Sequence, residues 1–132
     1  MSEIAIQPID ADDLRAHVAR TAEGTTLLVR GSADARSHDA LERFLAQVHD
    51  QMLSSKEEEI VVDLRDCDFI SSSCLKAFVV WLGRIQDGDD GARYKLRFLS
   101  DDNKPWQRRS LGTLHCFAVD LVMIASGPSV RD

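Results

Sequence analysis

Residues 69–78, FISSSCLKAF, put three hydroxyls and a thiol in a row at Ser71, Ser72, Ser73 and Cys74. A serine hydroxyl can cap a helix, attack an electrophile when a base is beside it, or accept a phosphoryl group. A thiol in the first turn of a helix can have a lowered pKa and become a nucleophile. Nucleophilic catalysis also needs a histidine base and an orienting group within reach. The four histidines, His17, His38, His49 and His115, are scattered, and no local signature places one beside Cys74. Cys67, Cys74 and Cys116 cannot all pair within one chain. No CxxC or Cys/His spacing marks a metal site. The residues therefore call for no metal or cofactor, and the cysteines read as reduced thiols of a cytoplasmic protein.

Four small side chains matter only if something positions them. Just upstream, IVVDL (60–64) is a β-branched apolar run, as expected of a buried strand. From Leu75 the period becomes helical, with Leu75, Phe78, Val79, Leu82 and Ile85 on one face. DGDDG (87–91) ends that helix. A helix beginning near Ser72 puts the serines where four backbone N–H groups lack intrahelical partners. One hydroxyl there stabilises the helix by roughly 1 kcal/mol. Three exceed what capping requires, and the positive end of the helix also favours added negative charge.

The remaining elements follow the same logic. IAIQPI (4–9) reads as a short edge strand limited by Pro8. DADDLRAHV could form a capped helical turn, but RAHVART and TTLLVRG read better as a hairpin turned at Gly24. Residues 37–53 form an amphipathic helix with Leu41, Phe44, Leu45, Val48 and Met52 on one stripe and Ser37 as its N-cap. YKLRFLS (94–100) alternates as a strand. Asn103 is expected to cap a third helix, with Pro105 in its first turn, and LVMIA (121–125) closes the chain as a strand. Strands alternating with helices predict an α/β fold with a mostly parallel sheet and three to four helices. The 132 residues suit one domain, with a core over about 16–126 and a short strand or extension over 1–15.

The net charge of −6 disfavours nucleic acid, which needs a clustered positive surface. The one basic cluster, NKPWQRR (103–109), could bind an anion or an acidic partner, but a solvated helix face is the preferred reading. No apolar run approaches the length of a membrane span. The start, MSEIAIQPID, lacks the features of a secretory signal.

IVVDLRDCDFISSSCLKAF resembles the signature of the STAS domain, named for sulfate transporters and anti-sigma factor antagonists. Asp63 matches the family's strand aspartate, Phe69 and Ile70 its apolar pair, and Leu75 its leucine. LLVRGSAD resembles the strand ending in Gly-x-Leu-Asp, at Gly31 and Asp34, and the element order agrees from about residue 16 to 126. The resemblance implies a STAS-like single domain without catalysis of its own. It implies an anti-sigma factor antagonist whose phosphoacceptor is Ser72, with Ser73 as the fallback. It implies as partners a kinase that is itself the anti-sigma factor, which phosphorylates and releases the antagonist, and a serine phosphatase that restores binding. The expected motif and partner surface comprises Asp34, Ser71, Ser73, Cys74, Lys76, Val80 and Trp81. Trp81 reads either as an exposed anchor for the partner or as a cover for the sheet edge, and Trp106 is similarly open.

Two positions depart from the family pattern. Ser71 stands where the motif has aspartate, and Cys74 where it has glycine. The first removes a carboxylate from the phosphorylation motif, and the second requires a backbone that tolerates a Cβ. Both departures also suit a non-switched scaffold or accessory STAS module in a signalling or transport complex. A small thiol or hydrolytic enzyme is a third class, resting on Cys74 alone.

Overall fold

The computed structural model describes residues 6–11 and 13–126. The strands are β1 (Ile9–Asp10), β2 (Leu14–Thr21), β3 (Gly24–Ala33), β4 (Glu59–Asp63), β5 (Cys67–Ile70), β6 (Lys95–Ser100) and β7 (Val122–Ser126). The helices are α1 (His38–Ser55), α2 (Ser72–Gln86) and α3 (Pro105–Phe117). One mixed sheet runs β1-β2-β3-β4-β6-β7, with β5 also paired to β3. β1, β2 and β3 are antiparallel neighbours, and every later pairing is parallel. The order from β3 to β7 advances in one direction, so right-handed crossovers place α1, α2 and α3 on the same face. Contacts of α2 with both α1 and α3 agree with that layering.

The core lies between this helix layer and one side of the sheet. Alternation sends Leu27 and Val29, Ile60 and Val62, and Leu96 and Phe98 into it. From α1 come Leu41, Phe44, Leu45, Val48 and Met52, the stripe expected from periodicity. From α2 come Cys74, Ala77, Phe78, Trp81, Leu82 and Ile85. The hairpin forms as expected, with Thr21 opposite Gly24 across a two-residue turn. The N-terminal strand is confined to Ile9–Asp10, after Pro8, and residues 4 and 5 of the expected segment lie outside the described residues.

Two expected caps are corrected. Ser37 occupies the N-cap of α1 but makes no side-chain cap bond. Asp34 instead caps the 3₁₀ turn Ala35–Ser37 by accepting the Arg36 N–H at 2.9 Å. Lys104, not Asn103, precedes α3, and the Asn103 N–H donates to the Asp101 carboxylate at 2.9 Å. In both loops an aspartate reaches two residues ahead, a local bond that competes with the simple cap.

A polar chain, buried at Trp81 and Tyr94 and half-buried at His49, ties α1 and α2 to the residue before β6. The Trp81 indole N–H donates to the Tyr94 hydroxyl oxygen at 2.7 Å, and that hydroxyl lies 2.7 Å from His49 Nδ1. Indole can only donate, so the Tyr94 oxygen accepts from Trp81, and the Tyr94 hydroxyl and His49 Nδ1 share the second bond of the chain. Burial lowers the His49 pKa below its usual 6.5, and Arg84 of α2 lowers it further, against the opposing pull of Asp50. The native state thus binds fewer protons than the unfolded chain, so stability falls as pH falls. The contribution is fully present above about pH 6.5 and is lost below it, through the depressed folded pKa. The urea midpoint of the wild type is expected to drop between about pH 7.5 and 5.5, and His49→Gln to flatten that drop. Parallel curves for the two proteins would refute a neutral, half-buried His49.

Candidate functional site

The serines sit where two strand ends meet a helix start. β4 stops at Asp63, whose carboxylate accepts three N–H groups from Arg65: the backbone at 3.1 Å, Nε at 3.0 Å and Nη2 at 2.9 Å. The chain turns there and resumes as β5 along the second half of β3, with a register shift between Gly31 and Ser32. Sequence reasoning gave no separate strand here. Its burial does not alternate: Cys67 and Ile70 are buried, Asp68 and Phe69 exposed. Buried Gln107 of α3 holds this turn from beneath. Its Nε2 donates to the carbonyls of Leu64 at 2.6 Å and Cys67 at 3.0 Å, and its Oε1 accepts from the Asp101 N–H at 2.8 Å.

The Ser71 N–H donates to the Ala33 carbonyl at 2.7 Å, which fixes the start of α2 against the end of β3. Ser71 is extended, with φ −68° and ψ 162°, and its Oγ accepts from the Cys74 N–H at 3.2 Å. It is the N-cap, and as a neutral hydroxyl it caps α2 without bringing a negative charge to the helix start. Ser73 Oγ lies 3.1 Å from Ser71 Oγ, and both residues are half-buried. Ser72 is the exposed member, and its hydroxyl makes no hydrogen bond with a described residue.

Cys74 is 0% exposed, and its thiol donates to the Asp34 carbonyl at 3.1 Å. Burial pushes its pKa up, and the Asp34 charge adds to the effect. The lowered pKa that a first-turn thiol can have is therefore corrected: desolvation outweighs the helix terminus. The Cβ at this position sits in ordinary helix, since Lys56 is the only non-glycine with positive φ among the described residues. Cys67 is also inert, with its thiol pushed up to about 12 by burial. Neither thiol is a nucleophile near neutral pH.

Asp34 is half-buried on the adjoining turn. Its carboxylate pairs with Arg36, Oδ2 to Nη2 at 2.8 Å, and Arg36 also reaches Asp13 at 2.7 Å. That guanidinium holds the Asp34 carboxyl below its usual pKa. Along α2, Ser72, Lys76 and Val80 are exposed at intervals of four and so form one ridge. Trp81 does not join them. It is 1% exposed and packs against Phe78 and Tyr94, so its reading as a surface anchor is corrected. Trp106 is half-buried against the core. Phe69, 48% exposed and three residues before Ser72, is an apolar surface group that the sequence reading named only as half of an apolar pair, without placing it on the surface. Its signal was the pair Phe69–Ile70 at the end of a strand, of which only one can face inward.

The described residues contain no group of three or more His, Cys, Asp or Glu placed to hold a metal ion. No helix among them is long and apolar enough to cross a membrane.

No protein-family model matches the sequence, and no curated protein does. The crystal structure of an anti-sigma factor antagonist from Mycobacterium paratuberculosis is similar in fold, with a TM-score of 0.59. The match covers 92% of this chain and 91% of that one at 16% identity. The chain, with its mixed, mostly parallel sheet and three helices, therefore shares the fold of that solved anti-sigma factor antagonist.

Proposed function

We propose that this chain is a protein-interaction module of the anti-sigma factor antagonist type, switched by phosphorylation of Ser72. The observation that carries the reading is the division of labour among the serines. Ser71 caps α2, Ser73 is tied to Ser71, and Ser72 alone is exposed and unbonded. A phosphoryl group there adds about −1.5 to −2 charge at neutral pH. The N-terminal end of α2 accommodates that charge, so modification leaves the fold intact. A partner docked on the ridge meets Phe69, Ser72, Lys76 and Val80, the last 41% exposed. Phosphorylation introduces repulsion and a desolvation cost at the middle of that contact. The partner in this reading is a kinase-type anti-sigma factor, reversal is by a serine phosphatase, and the location is the cytoplasm.

With a kinase-type anti-sigma factor of the host as probe, Ser72→Ala is expected to bind like the wild type. Ser72→Asp is expected to bind at least about tenfold more weakly. A non-switched scaffold is favoured by one observation, the missing carboxylate at Ser71. Equal binding of both variants would select the scaffold, and peptide mass spectrometry placing phosphate on Ser73 would move the switch to that residue.

A further inference from the structure

β7 ends the sheet, and no strand among the described residues pairs with its outer side. The Leu96 N–H donates to the Leu121 carbonyl at 2.8 Å, and the β6–β7 ladder then runs without a shift from Leu96–Val122 to Ser100–Ser126. In a parallel ladder alternate residues of a strand turn both main-chain groups to the same neighbour. Met123 and Ala125 therefore bond to β6. Ile124 aims its N–H and carbonyl away from the sheet, on the same side as the Val122 carbonyl and the Ser126 N–H. The Val122 N–H is already taken by the Ala118 carbonyl at 3.1 Å. An open row of main-chain donors and acceptors is a template for another strand.

The side chains of β7 choose the strand that fits. The strand reads VMIAS, with no charge, proline or glycine, so it lacks the devices that usually blunt an edge. Met123 is 46% exposed on the open face of the sheet, and Ile124 is 42% exposed on the helix face. An antiparallel copy related by a two-fold axis at Ile124 sets Ile124 beside the partner's Ile124 and Met123 opposite the partner's Ala125. No like charges meet along the strand, although the chain carries a net −6. In that register each Ile124 N–H donates to the other Ile124 carbonyl, and each Ser126 N–H to the partner's Val122 carbonyl. The opposite edge of the sheet offers no such match. β1 is two residues long and follows Pro8, and β2 behind it carries exposed Arg15 and Arg20. Growth from edge to unlike edge is thereby blocked, and association through β7 closes at two copies.

We propose that β7 is a self-association edge, through which two copies of this chain join antiparallel about Ile124 into one continuous sheet. Five-residue strands bury less than the roughly 1,200 Å² of a standard stable interface, so the dimer is weak and reversible. β4 and β6 separate β7 from β3, whose end fixes the start of α2. Dimerisation therefore leaves the serine ridge of both copies free, and it stands or falls independently of the switch.

The test is sedimentation velocity of the full chain from about 10 µM to 1 mM, in reducing buffer so that the exposed Cys116 cannot link copies. A monomer–dimer equilibrium is expected, with a Kd on the order of 100 µM. Ile124→Lys sets two like charges at the axis and weakens it at least about tenfold. Met123→Lys, on the other face of the strand, weakens it about threefold and serves if circular dichroism shows Ile124→Lys unfolded. Leu53→Lys, at an exposed position of α1, dimerises like the wild type. Amide hydrogen exchange at Ile124 is fast in dilute protein and slows as the dimer fills. The proposal is overturned by a monomer throughout, by assembly that continues past two copies, or by folded lysine variants of β7 that dimerise unchanged. Equal weakening in Leu53→Lys overturns it too, since the added charge alone would then be the cause. So does an Ile124 N–H protected equally at both concentrations, because other residues of the same chain would then cover the edge.

Discussion

Replacing Trp81 with alanine is expected to lower the unfolding free energy by about 4 kcal/mol, a large part of the stability of a domain this size. The side chain is 1% exposed and touches Phe78 and Tyr94, while Phe78 in turn meets Phe98 of the sheet. Truncation leaves a void in the layer joining α2 to β6, and such layers relax only partly. It also removes the N–H that donates to the Tyr94 hydroxyl, where burial already pushes the phenol pKa up. Trp81→Phe separates the two effects. It keeps most of the apolar volume, loses the donor and is expected to cost about 1–2 kcal/mol. Urea denaturation followed by circular dichroism measures both. A Trp81→Ala protein within about 1 kcal/mol of the wild type would mean that Trp81 is a surface residue.

Trp81 also marks where the sequence stopped being legible. A stripe started at Leu75 puts Trp81 off the apolar face. The observed buried face starts one residue earlier, at Cys74, and includes Ala77, Phe78, Trp81, Leu82 and Ile85. Cys74 and Ala77 are small and carry little weight in an apolar pattern, so the axis of the stripe is rotated when they are left out. The stripe of α1, built from five large side chains, had no such weakness. The hairpin, the start of α2 at Ser72 and the parallel order were legible because each rests on local period and turn chemistry. β5 was not, because it is a four-residue resumption of the β4 position and its burial does not alternate. The bonds of Gln107 were invisible for another reason: its partners Leu64 and Cys67 lie about 40 residues away along the chain.

The same contrast applies to the serines. Composition and spacing identified the run, but which hydroxyl stays free depends on tertiary placement. The Ser71–Ala33 backbone bond turns Ser71 into the cap, and the cap in turn draws in Ser73. Ser72, at the first helical position, is left facing outward. The local strand junction therefore decides which serine is available for modification, and the glycine at the centre of that junction is its most sensitive point.

Gly31→Ala is expected to cost more than about 3 kcal/mol, the second large effect. Gly31 has φ +91°, and a Cβ built there would lie 2.2 Å from the Asp13 carbonyl oxygen. That oxygen belongs to the backbone and already accepts from the Ser32 N–H at 2.7 Å, so it cannot move aside without breaking the β2–β3 edge. Gly31 also donates its N–H to the Asp66 carbonyl at 3.2 Å, in the turn that introduces β5. The strain would thus fall on the junction that positions Ser71 and Asp34. Gly24 is the control. Its φ of +110° is also unfavourable for other residues, but a Cβ there meets nothing within 4 Å. Gly24→Ala should therefore cost only about 1 kcal/mol, the conformational penalty without the collision. Equal destabilisation of the two variants in urea would show that φ alone matters and that the close approach of Asp13 does not.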